Sequence, residues 1–572
     1  MKRFAQKFAL LSLVLGVSAG TMVGCGSETK ESSATAEATE VAGTETTSEE
    51  VAPTGYGTSV IAIGDLNGAF HPFFYTTHYD DIINDAVNAA LIGLDREGNF
   101  VPGVADFKVE EVTNDAGEAQ TIYTFTLKDD IKFSDGEPMT SEDIIFSFLI
   151  QLDPTYDGIA TMNTLAIAGL EEYTKGDATE IEGLKQIDDK TVQITLDGID
   201  PAAMQKFGIA ILPKHYYDAE FVKGDLSKIK EKIDAPMGAG EFIFENFENN
   251  VVSLKANPYY YEGAPKLEKL KFQVTDLANL FEAVRTEQVD ISEPNASPEM
   301  VANVEEAGLH YELVDNLGYG YIGINAERVA DLNVRKGLMH LMNRKPAIES
   351  YYGDIATIIE RPMSRVSWAY PDDAEEYYGY DVAKAKEYFA AAGYADVDGK
   401  LMKDGEQLRI EVGIPAGGIM DHPSAPILTQ MKSDMEAMGA VLEIADTDGA
   451  VFFDVLEQKG WDMWVAAWSS TVDPDMFQVY HSTGPSNHYC IYDDELDKLI
   501  VDARLTNDVE IRTGLYQDAL DIIMDEAVEM PVYQRKNMYI FNPNMISIDS
   551  LPKDMSPFYN FYNELENLEM AQ

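Results

Sequence analysis

Cysteine is almost missing from this chain. Cys25 and Cys490 are the only two in 572 residues, so no disulfide framework braces the fold, and acylation of Cys25 would leave no intramolecular pair at all. Positive charge is scarce too: 42 Lys and Arg stand against 99 Asp and Glu, and the resulting charge of −57 excludes binding of nucleic acid or anionic lipid through a basic face. Beyond the amino-terminal segment, apolar runs stay well below the ~18 residues that a membrane-spanning helix needs. The chain also has no His-Glu-x-x-His, no phosphate-binding glycine loop, no Gly-x-Ser-x-Gly elbow and no paired-cysteine metal site, which removes the common signatures of hydrolases and nucleotide enzymes. Carboxylates are too numerous for counting to single out a glycosidase-like pair. His481, His488 and Cys490 lie close in sequence, but their spacing fits no common metal site and they sit in a Gly-Pro-Ser loop, so neither a metal nor a cofactor is expected.

What is present begins with a targeting segment. Lys2, Arg3 and Lys7 make a positive start, Phe8 to Ala19 is an apolar run, and Thr21-Met22-Val23-Gly24-Cys25 follows. A small residue just before a cysteine, directly after an apolar core, is similar to a bacterial lipobox. That likeness implies a signal peptide over residues 1–24, cleavage after Gly24 and a lipid on Cys25. Residues 25–56, rich in Ser, Thr, Glu, Ala and Gly, cannot bury enough apolar surface to offset the entropy of ordering and read as a flexible acidic linker.

The most informative stretch runs from Tyr123 to Phe148. Tyr123, Phe125 and Leu127 alternate with threonines as in a half-buried strand, Ser134-Asp135-Gly136 is a turn, and Thr140 caps a helix with Asp143 as its capping-box partner. This succession resembles the signature of the family 5 extracellular solute-binding proteins, the peptide- and nickel-binding components of ABC importers. Further stretches carry the likeness: Asn99 to Asp106, Ile187 to Leu196, Ile211-Leu212-Pro213-Lys214-His215, Gly238 to Phe242 with Glu241 where proline is usual, Asn257-Pro258-Tyr259-Tyr260, and Asp331 to Arg344. The resemblance extends from about Thr58 to Pro531.

It implies an α/β chain with a two-lobed, periplasmic-binding-protein-like fold (type II-like) and an extra small α/β domain. Residues 57–93, 207–317 and 531–572 would form lobe I, 94–206 the small domain and 318–530 lobe II. Helices are expected over Leu280 to Asp290, Ser297 to Gly308, Asp331 to Asn343-Arg344 and Asp381 to Ala392, and a β-α-β passage over Leu408 to Ala445. The implied function is non-enzymatic: a monomeric, lipid-anchored, extracytoplasmic protein captures a short peptide and delivers it to the permease of an ABC importer. A non-peptide solute such as a nickel chelate or an oligosaccharide, a surface receptor or adhesin, and an exported hydrolase are the alternatives.

The candidate site centres on Trp461 to Asp475. Three of the chain's four tryptophans lie there, followed by Ser469, Ser470, Thr471 and an Asp473-Pro474-Asp475 turn, so a flat apolar wall stands beside hydroxyls and carboxylates as small-ligand pockets require. Trp461 and Trp464 read as core and Trp468, at the strand end, as site. The resemblance adds Thr76, Thr77 and His78 as a second cleft-lining stretch. General peptide binders place an Asp three residues after the cleft tryptophan, where it meets the ligand's ammonium; Thr471 occupies that position here. Either Asp473 takes the ammonium or the solute has no free amino terminus.

Overall fold

The structure is a computed structural model that describes residues 55–418 and 422–572, so the signal segment, Cys25 and nearly all of the linker lie outside it. Its backbone is organised by the strand Glu529–Phe541, whose 13 residues serve both lobes. The first half of that strand pairs antiparallel with Tyr319–Ile324 and Ala356–Ile358, and its second half with His310–Asp315 and Ile291–Ser292. A single hydrogen-bonded path of strands therefore runs from one lobe into the other.

In lobe I, Thr58–Ile63 lies parallel to Lys269–Val274, and the hairpin Phe242–Glu248 with Val251–Ala256 extends the sheet. Ile61, Phe272, Phe541 and Leu565 are fully or almost fully buried against it, so the chain's end returns to the lobe where the described chain begins. In lobe II, Met463–Trp468 joins Tyr319–Ile324, and the parallel pair Arg409–Ile414 and Val441–Asp446 brackets the helix Ala425–Ala437, a β-α-β unit as expected. The small domain is a four-stranded antiparallel sheet. Tyr123, Phe125 and Leu127 face its core together with Val192, Ile194 and Leu196, because the period of two puts both sets of apolar side chains on one face. The helix Ser141–Gln151 starts at Thr140, whose capping box with Asp143 is formed as the sequence indicates.

Two expectations shift. The helix expected over Leu280 to Asp290 ends at Arg285, because Glu287 turns into a left-handed conformation (φ 59°) and Ile291–Ser292 is drawn into the sheet. The helix from Asp331 stops at Met339 and a second begins at Arg344, whose guanidinium reaches back to Ile359 O and Pro531 O at 2.7 Å each.

The chain passes between lobes at Asn316–Gly318 and again within the long strand. Pro531 to Arg535 still pair with lobe II, so hydrogen bonding changes lobe at Arg535/Lys536, five residues beyond the expected boundary. Asn316 ties the two crossings together: its N–H donates to Arg535 O (2.9 Å), its Nδ2 to Asn537 Oδ1 (2.9 Å), and its carbonyl accepts from Gln534 Nε2 (2.6 Å). Two adjacent crossings of this kind are the arrangement expected of a hinge between lobes.

Candidate functional site

The tryptophan strand ends at Trp468, and its burial falls as it does so. Trp461 and Trp464 are core, with Trp464 Nε1 donating to Tyr321 Oη (3.2 Å). Trp468 is half-buried, stacks on Tyr321 with ring centroids 5.8 Å apart and planes 3° from parallel, and donates from Nε1 to Tyr489 Oη (3.2 Å). Behind it, Tyr489 and Tyr480 both donate to Glu529 Oε2, a fully buried carboxyl that burial pushes up to about 7. Trp468 is thus held in a fixed orientation by an aromatic and hydrogen-bonded backing.

The turn after it does not behave as the sequence suggests. Asp473 is buried and ion-paired with the equally buried Arg512, Oδ1 to Nη2 at 2.7 Å. Arg512 also donates to Ala503 O and Tyr516 Oη (3.0 Å each), and its guanidinium lies over the Trp368 ring. The carboxylate that one alternative assigns to a ligand ammonium already has a cationic partner within the chain, which speaks against that alternative. Asp475 is raised by burial and lies 3.3 Å from Arg504. Ser469 and Thr471 are exposed, Ser470 is half-buried, and Thr471 Oγ1 donates to Asp473 O (2.6 Å).

Of the amino-terminal candidates, Thr76 Oγ1 accepts from Asn67 Nδ2 (2.9 Å), Thr77 caps the helix His78–Val87 by accepting from Asp80 N (3.0 Å), and exposed His78 opens that helix, its imidazole lowered by desolvation. They set the helix in place without lining a cavity themselves.

A cavity of about 510 Å³ opens beside that same helix. It lies where lobe I, the loop Ile159 to Thr161 and the end of the 3-10 helix Pro201–Phe207 of the small domain, and Thr471 of lobe II meet. Thr471 is therefore the candidate that reaches it, and Trp468, Ser469, Ser470, Asp473, Thr76, Thr77 and His78 do not line it. The floor is supplied by Tyr75, Asp81, Asn84, Asp85 and Asn88, which sequence reasoning missed. Asp81 and Asp85 stand four residues apart on one face of the helix, a signal that was legible but reads first as an ordinary solvated acidic face.

The electrostatics of that floor are unusual. Burial, then the neighbouring Asp85 charge, pushes Asp81 up to about 8. Asp85 is accessible to solvent inside the cavity, yet enclosure by the surrounding walls pushes it up to about 6. Burial and the Asp81 charge also raise the Tyr75 hydroxyl. On another part of the wall, desolvation lowers Lys206, whose Nζ donates to Thr164 Oγ1 (2.8 Å) and whose charged neighbours include Arg504 and Asp475 of lobe II. Elsewhere, His481 stacks on Phe477 and faces Asp497 at 3.9 Å, His488 faces Glu457 at 3.8 Å, and the buried Cys490 donates from Sγ to the His488 carbonyl (3.7 Å), so the three side chains do not converge on one point. Among the described residues no group of three or more His, Cys, Asp or Glu side chains could hold a metal ion, and no helix is long and apolar enough to cross a membrane.

Comparison with known proteins gives a consistent picture. The family model for bacterial extracellular solute-binding proteins, family 5 (middle region), matches residues 101–489. The oligopeptide-binding protein AppA of Bacillus subtilis is 26% identical over 447 residues, covering 75% of this chain and 78% of that protein. The structure of the ABC transporter substrate-binding protein CtaP from Listeria monocytogenes superposes with a TM-score of 0.73 at 20% identity, over 91% of this chain and 100% of that one. The structure of B. subtilis AppA in complex with a nonapeptide gives a TM-score of 0.66, also at 20% identity and over the same shares of the two chains. These last two likenesses are of fold.

Proposed function

Since the chain belongs to the family 5 bacterial extracellular solute-binding proteins, we propose that it captures short peptides outside the cell and delivers them to the permease of an ABC importer. One observation carries the reading: a cavity of about 510 Å³ stands where both lobes and the small domain converge, within the range of small-ligand sites. A solute held there touches parts that the hinge allows to move apart, so its binding energy stabilises the closed arrangement. A permease then distinguishes loaded from empty protein by shape, and no covalent step is required. The name of the B. subtilis relative supports a peptide as the solute. A lipid on Cys25 would anchor the protein to the membrane, with residues 26–56 as the tether and a monomer as the working unit.

Mass spectrometry tests both parts. Under denaturing conditions, protein from its own cells should show a chain that begins at Cys25 and carries a diacylglyceryl adduct; an unmodified cysteine there would refute the anchor. Under native conditions, after exposure to a mixed pool of tri- to pentapeptides, the protein should retain one peptide per chain. Failure to retain any member of the pool would count against peptides as the solute.

A further inference from the structure

The helix His78–Val87 presents Asp81 and Asp85 to the cavity, and among the described residues no Lys, Arg or His side chain pairs with either carboxylate. This is not for want of satisfied acids nearby. Asp80, their neighbour, accepts from the N–H groups of Asn67 and Gly68 at 3.1 Å each. Between the two carboxylates in sequence, Asn84 is 1% exposed and lines the cavity, and neither of its amide atoms has a hydrogen-bond partner of good geometry, although its side chain stands against the Asp81 carboxyl. One turn further on, Asn88 donates from Nδ2 to Asn84 O (2.9 Å) and leaves its Oδ1 without a partner. A folded protein leaves few buried polar atoms unmet, so this floor is built for a group that supplies donors and positive charge.

We propose that this helix carries a cation site for the solute: Asp81 and Asp85, with the Asn84 side-chain oxygen between them, accept the three N–H donors of a primary ammonium group. The assignment deepens the reading of the cleft as the capture site and rests on it. An ammonium fits better than a metal ion, which would need a fuller set of ligands than two carboxylates and an amide provide. It also matches the donor count, since a primary ammonium offers three hydrogens and accepts none. The unliganded site supports this chemistry. Burial raises both acids, so each holds its proton more tightly than a free carboxyl does, and an arriving cation displaces it. Lys206, on another part of the wall, leaves room for the opposite charge of a zwitterion.

The ammonium can belong to a peptide's amino terminus or to a side chain, and three probes separate these sources in titration calorimetry at pH 8: Ala-Ala-Ala, N-acetyl-Ala-Ala-Ala and N-acetyl-Lys-Ala-Ala. The wild-type protein should bind at least one of the two ammonium-bearing peptides about tenfold or more tighter than N-acetyl-Ala-Ala-Ala. Asp81→Asn and Asp85→Asn should each erase most of that preference. A tighter Ala-Ala-Ala identifies the amino terminus, and a tighter N-acetyl-Lys-Ala-Ala identifies a side chain. Equal affinity for all three probes, or a preference that survives in both variants, overturns the cation site while leaving peptide capture intact. If no peptide binds, 1,5-diaminopentane is the remaining probe. Its binding to wild type and loss in both variants would uphold the cation site and refute the peptide reading, and its failure to bind wild type would overturn the site as well.

Discussion

Arg512→Met should destabilise this protein by about 3–5 kcal/mol, the usual cost of leaving one member of a buried ion pair without its partner. Arg512 and Asp473 are 4% and 6% exposed, and their charged atoms meet at 2.7 Å, so neither charge has water to fall back on. Methionine fills much of the arginine's volume, so the loss comes from the uncompensated carboxylate of Asp473 and from the vacated acceptors Ala503 O and Tyr516 Oη. Asp473→Asn should cost less, because an amide oxygen still accepts from the guanidinium. The measurement is chemical denaturation of the purified chain, followed through the transition that unfolds lobe II. The same two variants should keep the wild-type ratio of affinities for free and N-acetylated peptides. A loss of that ratio in Asp473→Asn with little change in stability would mean that Asp473 contacts the ammonium after all.

The opposite sign is expected at the cavity floor. Asp81→Asn should stabilise the unliganded protein at pH 8 by about 2–3 kcal/mol while it weakens ligand binding. Asp81 is pushed from 3.8 up to about 8, and each tenfold gain in proton affinity corresponds to about 1.4 kcal/mol, of which water in the cavity screens part. A carboxyl raised in this way binds its proton more tightly folded than unfolded. Its folded form is therefore favoured at low pH and loses ground as pH rises from about 4, where the unfolded chain ionises, through about 8, where the folded group does. The gain from the substitution should be near zero at pH 4 and grow steadily to pH 8.5. The charges and hydroxyls that act on Asp81 are those of Asp85, Tyr75 and Asp80; Asp85 itself is pushed up to about 6 by burial, which the substitution at Asp81 leaves in place. Thermal unfolding of both proteins across this pH range reads the difference directly. A variant that is equally or less stable at pH 8 would show that the pair is not strained. Stability given up for function in this way is common where a site holds like charges ready for a ligand.

These two cases mark where sequence reasoning reaches and where it stops. Elements whose cause is local were legible. The capping box of Thr140 and Asp143, the alternation of Tyr123, Phe125 and Leu127, and the Ser297 cap followed by Pro298 all form from neighbours within a few residues. Trp461 and Trp464 as core followed from position along a strand. The partner of Asp473 did not, because Arg512 lies 39 residues away on another helix and nothing near Asp473 announces it. Likewise the acids at 81 and 85 look like a solvated helix face until the fold brings the segments at 159–161 and 205–210 to the same cavity. The crossing at Arg535/Lys536 was misplaced for a related reason: one continuous strand serves both lobes, so no turn or composition change marks the passage.

A solute captured by this protein sits in the cavity between helix His78–Val87, the small domain and Thr471. Hydrogen exchange followed by mass spectrometry, with and without a saturating peptide retained by the wild-type protein, tests this placement most directly. Exchange should slow in three separate segments, around residues 72–90, 159–161 with 205–210, and 469–473, together with the crossings at 316–318 and 535–536. Protection confined to other surfaces, or none at saturation, would contradict it.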